Sequence, residues 1–133
     1  MGGPLDGIRV VEMASWMFVP SAGSVLADWG ADVIKVEPPE GGDPQRGLIT
    51  SGLLPGGAGG VNFMIEQPDR TKRSVAINVA HPDGREAFMK LVETADVFLS
   101  SQNSDLVHEV HPGDTGVNVG NRRGSAFELA GRC

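Results

Sequence analysis

Arg70, Lys72 and Arg73 stand within one four-residue stretch of a chain that carries 17 Asp and Glu against 11 Lys and Arg, a formal net charge of −6. A local basic spot in an acidic chain is the chemistry of a phosphate or other anion site, because Lys and Arg supply charge-assisted donors. The plainer reading is a solvated turn that pairs with Glu66 and Asp69. Asp43 and Arg46, three residues apart in a glycine-rich stretch, read as a salt bridge that shapes a loop. Glu37 ends an apolar run, where an acidic residue would hold the ribose of a dinucleotide. The matching turn, residues 13–20, contains no glycine, and the G-x-G-x-x-G fingerprint is what lets backbone approach a pyrophosphate. A dinucleotide site is therefore disfavoured, and Glu37 reads as a solvated strand end. His108-Glu-Val-His111 is one residue short of H-E-x-x-H and has no evident third ligand, so no metal site is assigned. His81, before Pro82, reads as a helix cap. There is no G-x-S-x-G elbow and no P-loop, and the residues alone compose no complete catalytic constellation.

The bulk properties bound the class. The chain has 133 residues, enough for a single core. Its acidity argues against coating nucleic acid or an anionic membrane. One cysteine, Cys133, excludes an internal disulfide framework and a cysteine-built zinc site. No apolar run reaches the roughly 18 residues of a membrane span. The start lacks a basic segment and an apolar h-region, so a reduced, cytoplasmic location is expected. Glycine is 19 of 133 residues against a usual share of about 7 %. The excess falls between Gly41 and Gly60 and after Pro112, which places loops there.

The elements that must position these residues follow from periodicity. Gly7 to Glu12 is a short β-branched run and reads as a buried strand. Pro20 to Trp29 reads as a helix with Val19, Ala22, Val25, Leu26 and Trp29 on its stripe, Pro20 in the first turn and Gly30 as the left-handed stop. Ala31 to Glu37 reads as a second strand, ended by Pro38-Pro39. A long Gly/Pro-rich loop is expected over 40–62. Arg73 to Val79 reads as a third strand, Pro82 to Thr94 as a helix with Ala87, Phe88, Leu91, Val92 and Ala95 on its apolar side, and Ala95 to Ser100 as a fourth strand. Two successive βαβ units make a Rossmann-like, doubly wound, mostly parallel α/β sheet. Such sheets bind ligands at the carboxyl ends of their strands, which singles out the loops 13–19, 37–47 and 100–104. Residues 1–100 form the ordered half, and 101–133 read as a divergent, irregular tail, with a helical turn and a half near Leu106–Val110 and a short strand between Asn118 and Phe127 as its possible pieces.

Six motifs stand in an order and spacing that resemble the amino-terminal part of the family III CoA transferases, which include α-methylacyl-CoA racemases. They are Leu5-Asp-Gly-Ile-Arg-Val-Val-Glu12, Pro20, Leu26-Ala-Asp-Trp-Gly-Ala-Asp-Val-Ile-Lys-Val-Glu-Pro38, Gly42-Asp-Pro-Gln-Arg46, Arg70-Thr-Lys-Arg-Ser74 and Ala95-Asp-Val97. The set spans residues 5 to about 100, three quarters of the chain.

The resemblance implies a Rossmann-like nucleotide half, a smaller second domain and two interlocked subunits. It implies CoA or acyl-CoA as substrate, a carboxylic acid as co-substrate and no tightly bound cofactor. An aspartate attacks the thioester, forms a mixed anhydride and then carries CoA as an enzyme thioester. Carried over residue by residue, the CoA contacts are Met17 and Phe18 after the first strand, Pro38 after the second, Ile77 and Asn78 at the third, and Ser101 and Gln102 after the fourth. Lys72 and Arg73 match the family's Lys-Arg-Ser motif, in a ligand-binding or structural role. Met17-Phe18 replaces a turn that often carries a polar residue, and Pro38 carries no charge where some members are basic. From Ser100 onward the family pattern is lost, and the nucleophilic aspartate and small domain are not matched. The resemblance thus implies a truncated amino-terminal, CoA-binding portion, inactive alone and self-associating through open sheet edges. A racemase fragment and a stand-alone CoA-binding or interaction module are the alternatives; a dehydrogenase fragment is opposed by the missing glycine fingerprint.

Overall fold

A computed structural model describes residues 2–56 and 58–101, together with two short strand segments at 117–118 and 128–129. The elements are β1 (Arg9–Met13), α1 (Phe18–Asp28), β2 (Asp32–Glu37), α2 (Gln45–Thr50), α3 (Phe63–Asp69), β3 (Arg73–Ala76), α4 (Pro82–Val92) and β4 (Val97–Ser100). The strands β5 (Val117–Asn118) and β6 (Glu128–Leu129) pair antiparallel. The four long strands form an all-parallel sheet in the order β3-β2-β1-β4. This is the α/β architecture the alternating pattern predicts.

β1 and β2 are buried on both faces, as central strands of a parallel sheet must be. Alternation along them sends side chains into two separate cores. Val10, Val33 and Leu99 meet Val19, Ala14 and Ala31 on the α1 side. Val11, Met13, Val36 and Phe98 meet Phe88 and Val92 on the α4 side. There the rings of Phe88 and Phe98 sit edge to face, with centroids 5.9 Å apart at 65°. His81 caps α4 as expected, its Nδ1 accepting from the Asp83 N–H at 3.3 Å.

The strand and helix limits depart from the sequence reading by two residues or fewer, except at the third strand. β3 stops at Ala76 rather than Val79. Ile77 N–H still donates to Glu37 O at 2.9 Å, but the Asn78 side chain accepts from Ala80 N–H and turns the chain. Two further readings are corrected. The stretch 40–62 is not structureless. It contains α2, which Asp43 and Pro44 start by accepting from the Arg46 and Gly47 amides, and a 3₁₀ turn at Ala58–Gly60. The adjoining α3 also went unread. The α1 stripe is rotated as well. Val25 and Trp29 are 43 % and 53 % exposed, while Val19, Pro20, Gly23 and Ser24 are buried. Small residues face inward because the helix passes close over its neighbours. A Cβ on Gly23 would collide with the Glu12 carboxylate, and the Ser24 hydroxyl donates to Pro68 O. Gly30 does stop α1, at φ +102°. The residues from Leu106 to Val110 lie outside the described region.

Candidate ligand-binding edge

From β1 the sheet grows outward through β2 to β3, and the chain then crosses back to lay β4 on the opposite side of β1. The carboxyl ends of β1 and β4 therefore flank the topological switch point, where doubly wound sheets open a crevice. The two ends are tied together there. The Ser15 N–H donates to the Ser101 Oγ at 3.1 Å. Trp16 follows in the left-handed region at φ +70°, a conformation that costs a residue with a Cβ about 1–3 kcal/mol. Its N–H donates to Asp43 Oδ1 at 3.4 Å, from the loop after β2.

The residues assigned to ligand contact divide into three groups. Met17 and Phe18 open α1 beside this turn, with Phe18 85 % exposed. Pro38 follows β2, Ile77 and Asn78 follow β3, and Ser101 follows β4. These six lie after the carboxyl ends of four parallel strands, and the fold brings them to one edge. Lys72 and Arg73 lie at the amino end of β3, away from that edge. Gln102 lies outside the described residues.

The basic spot is charge-compensated, in part by the expected Asp69, which holds Lys72, and otherwise by carboxylates distant in sequence. Arg70 pairs with Asp28, and Arg73 with Asp32, which also holds Arg9. The Lys72 side chain is 2 % exposed. Its Nζ donates to Glu12 Oε1 and Oε2 at 2.9 and 2.8 Å, to Pro20 O at 2.7 Å and to Asp69 Oδ1 at 3.3 Å. Asp69 also accepts from Lys35, whose Nζ reaches Asp43 Oδ2 at 2.8 Å. Asp43 and Arg46 do not pair with each other as the spacing predicted. Arg46 holds Glu37 instead, Nε to Oε2 at 2.9 Å and Nη2 to Oε1 at 2.7 Å. Glu37 is buried rather than solvated. A cavity of about 240 Å³ lies against this cluster, lined in part by Lys35, Glu37, Arg46, Glu66, Asp69 and Arg73.

Burial sets the electrostatics of the cluster. It pushes the Glu12 carboxyl up to about 7, against the pull of Lys72. It opposes the charge on Lys35 too, but the bonds to Asp43 and Asp69 outweigh it and raise that ammonium's pKa. The Arg46 bond holds Glu37 below the usual carboxylate range. Glu12, Lys35, Asp43 and Asp69 escaped the sequence reading as a connected set. The available signal was the pair of charges Lys35 and Glu37, two residues apart at the end of Asp32-Val-Ile-Lys-Val-Glu37, and Glu12 inside Arg9-Val-Val-Glu-Met13. Glu12 and Lys35 are register partners on adjacent strands and so share a face. Among the described residues no group of side chains is placed to hold a metal ion, and no helix is long and apolar enough to cross a membrane.

A parallel sheet with helices on both faces and a built turn at the switch point defines a doubly wound α/β protein. The particular family follows from comparison: residues 5–117 match CoA-transferase family III, and the chain belongs to it. It is 42 % identical over 109 residues to a succinate–glutarate CoA-transferase of Agrobacterium fabrum, covering 77 % of this chain and 26 % of that protein. It is 39 % identical over 98 residues to an (R)-2-hydroxy-4-methylpentanoate CoA-transferase of Clostridioides difficile, covering 73 % and 24 %. A crystal structure of a CAIB/BAIF family protein from Brucella suis superposes with a TM-score of 0.67 at 34 % identity, over 83 % of this chain and 29 % of that one. The chain thus spans about a quarter of the length of these relatives. The family match runs past the point near residue 100 where the motifs cease to be legible.

Proposed function

We propose that this chain is the CoA-binding amino-terminal portion of an enzyme that moves CoA between an acyl-CoA and a carboxylic acid through an aspartyl-CoA intermediate. The observation that carries the reading is the convergence of Met17, Phe18, Pro38, Ile77, Asn78 and Ser101 on the carboxyl edge of a family III sheet. In this reading CoA or its thioester lies across that edge as substrate, with Gln102 completing the contacts, and no cofactor is held tightly. Lys72 and Arg73 act as structural members of the set, because each already holds a carboxylate. The 133-residue chain by itself binds the thioester and does not turn it over. The family chemistry needs a free aspartate nucleophile; among the described residues Asp43, the aspartate held against this edge, is bound by Lys35, and its neighbour Glu37 by Arg46. The reading includes self-association as a homodimer or larger species and a cytoplasmic location.

Calorimetric titration of the chain with CoA, with NAD as the control ligand, tests it. Saturable CoA binding without NAD binding is the expected result. NAD binding, or no binding of either, refutes the assignment of the edge to CoA in this chain.

A further inference from the structure

We propose that Asp43 is a positioning residue that sets the ligand-facing turn after β1; the proposal rests on the reading of the carboxyl edge as the CoA site. Each carboxylate oxygen has a separate duty. Oδ2 accepts from Lys35 Nζ at 2.8 Å, in an ion pair whose side chains are 1–2 % exposed. Oδ1 accepts from the backbone N–H of Gln45 at 3.0 Å and from that of Trp16 at 3.4 Å. The Asp43 N–H donates to Glu37 Oε2 at 3.0 Å, so its backbone is fixed as well. Lys35 is in turn held by Asp69, and Asp69 by Lys72. A chain of buried charges therefore runs from beneath α1 to the amide of Trp16, a left-handed residue at the switch point with φ +70°. That conformation is disfavoured for tryptophan, and it persists only where its surroundings over-determine it. The tie between Ser15 N–H and Ser101 Oγ fixes the residue before. Asp43 fixes the residue itself. Met17 and Phe18, which come next, take their direction from it.

Asparagine separates the two duties. It matches aspartate in shape but offers one acceptor oxygen and one donor amide. It can satisfy the Lys35 ammonium or the Trp16 amide, and the charged partner takes the oxygen. Asp43→Asn is then expected to keep the sheet and release the turn. Trp16→Gly supplies the rescue, because glycine adopts a positive φ without strain and does not need the clamp.

The test is a double-mutant cycle on the full chain, read by calorimetry with CoA and by amide hydrogen exchange at residue 16. Asp43→Asn is expected to weaken CoA binding about tenfold and to strip the Trp16 amide of protection, while the Val11 and Val33 amides of the sheet stay protected. In the Trp16→Gly background the same change is expected to weaken CoA binding less than about threefold. An equal loss in both backgrounds overturns the proposal, as does a Trp16 amide that stays protected in Asp43→Asn. If the unmodified chain does not bind CoA, the reading of the edge fails, and the exchange data still decide the clamp. If Asp43→Asn does not fold, the unmodified chain decides: a Trp16 amide that exchanges as freely as an unbonded one overturns the proposal, and a protected one supports it.

Discussion

Lys72 occupies the position at which a basic residue would be read as a ligand contact, and its surroundings make the opposite prediction. Its ammonium has three protons and meets four acceptors: both oxygens of Glu12, Pro20 O and Asp69 Oδ1. Nothing is left for a phosphate. Lys72→Met removes the cation and keeps the length of the side chain. Glu12, which is fully buried, then loses its bidentate partner, while Asp69 retains Lys35. Breaking a buried pair from one side costs about 3–5 kcal/mol, because the remaining charge stays desolvated. Against a typical total of about 5–15 kcal/mol, that is a large fraction of the stability of a domain this size. In urea, with a slope of about 1–3 kcal/mol/M, the midpoint at pH 8 should fall by about 2 M. The deficit should shrink at pH 5.5, where Glu12 escapes by taking a proton, since burial already lifts it to about 7 with Lys72 in place. Glu12→Gln combined with Lys72→Met should recover most of the loss. A Lys72→Met chain with an unchanged urea midpoint and weakened CoA binding would refute the argument and return Lys72 to the ligand.

Three further outcomes follow from the same geometry. The Glu12 carboxyl faces Lys72, Lys35 and Asp69 and titrates near 7, against 4.5 for the free side chain, so the folded state binds the extra proton between those values. Stability should therefore decline as pH rises through that window, by about 3 kcal/mol from this group, and urea midpoints at pH 5.5 and 8 should show a decline that Glu12→Gln abolishes; the same slope in both chains would sink the assignment. Gln45 is fully buried and neither its amide nitrogen nor its carbonyl oxygen has a partner among the described residues, so Gln45→Met should raise stability by about 1–3 kcal/mol, and a loss of that size in the urea midpoint would refute the reading of an unsatisfied amide. Phe18, Leu53, Trp29 and Val61 are exposed by 85 %, 73 %, 53 % and 50 %, and light scattering should show mass growing with concentration; a fixed monomer mass would refute self-association.

The sheet was legible because its signals are local. β-branched runs at Arg9–Met13 and Asp32–Glu37, a proline-led helix at Pro82 and a glycine stop at Gly30 each report their own conformation within a few residues. What was not legible depended on contacts distant in sequence. Nothing in the helix pattern marks Gly23, and its role shows only where Glu12 and Lys72, which are 60 residues apart, meet beneath it. Asp43 and Arg46 read as partners at three-residue spacing. Each is instead claimed by a charge on β2, Lys35 and Glu37, because the loop folds back over the face from which those side chains project. The carboxyl edge was half legible: the topology identifies which loops converge there, and only the structure shows that Trp16 is left-handed and what holds it so.

The two faces of the sheet are built on different principles. On the α4 side the strands present Val11, Val36 and Phe98 to Phe88 and Val92, an apolar packing that rewards volume and tolerates exchange. On the α1 side, β1 and β2 turn from Val10 and Val33 to Glu12, Lys35 and Glu37 as they approach their carboxyl ends. Buried ion pairs add little stability over apolar residues of the same size, because desolvation consumes most of the attraction. Their distinguishing property is that each partner admits few geometries. Placing them where the strands end, under the turn at Trp16 and the start of α2, directs that selectivity at the loops. The apolar face thus holds the strands together, while the charged face decides where the turns beyond them go. A ligand-binding edge made of loops needs both.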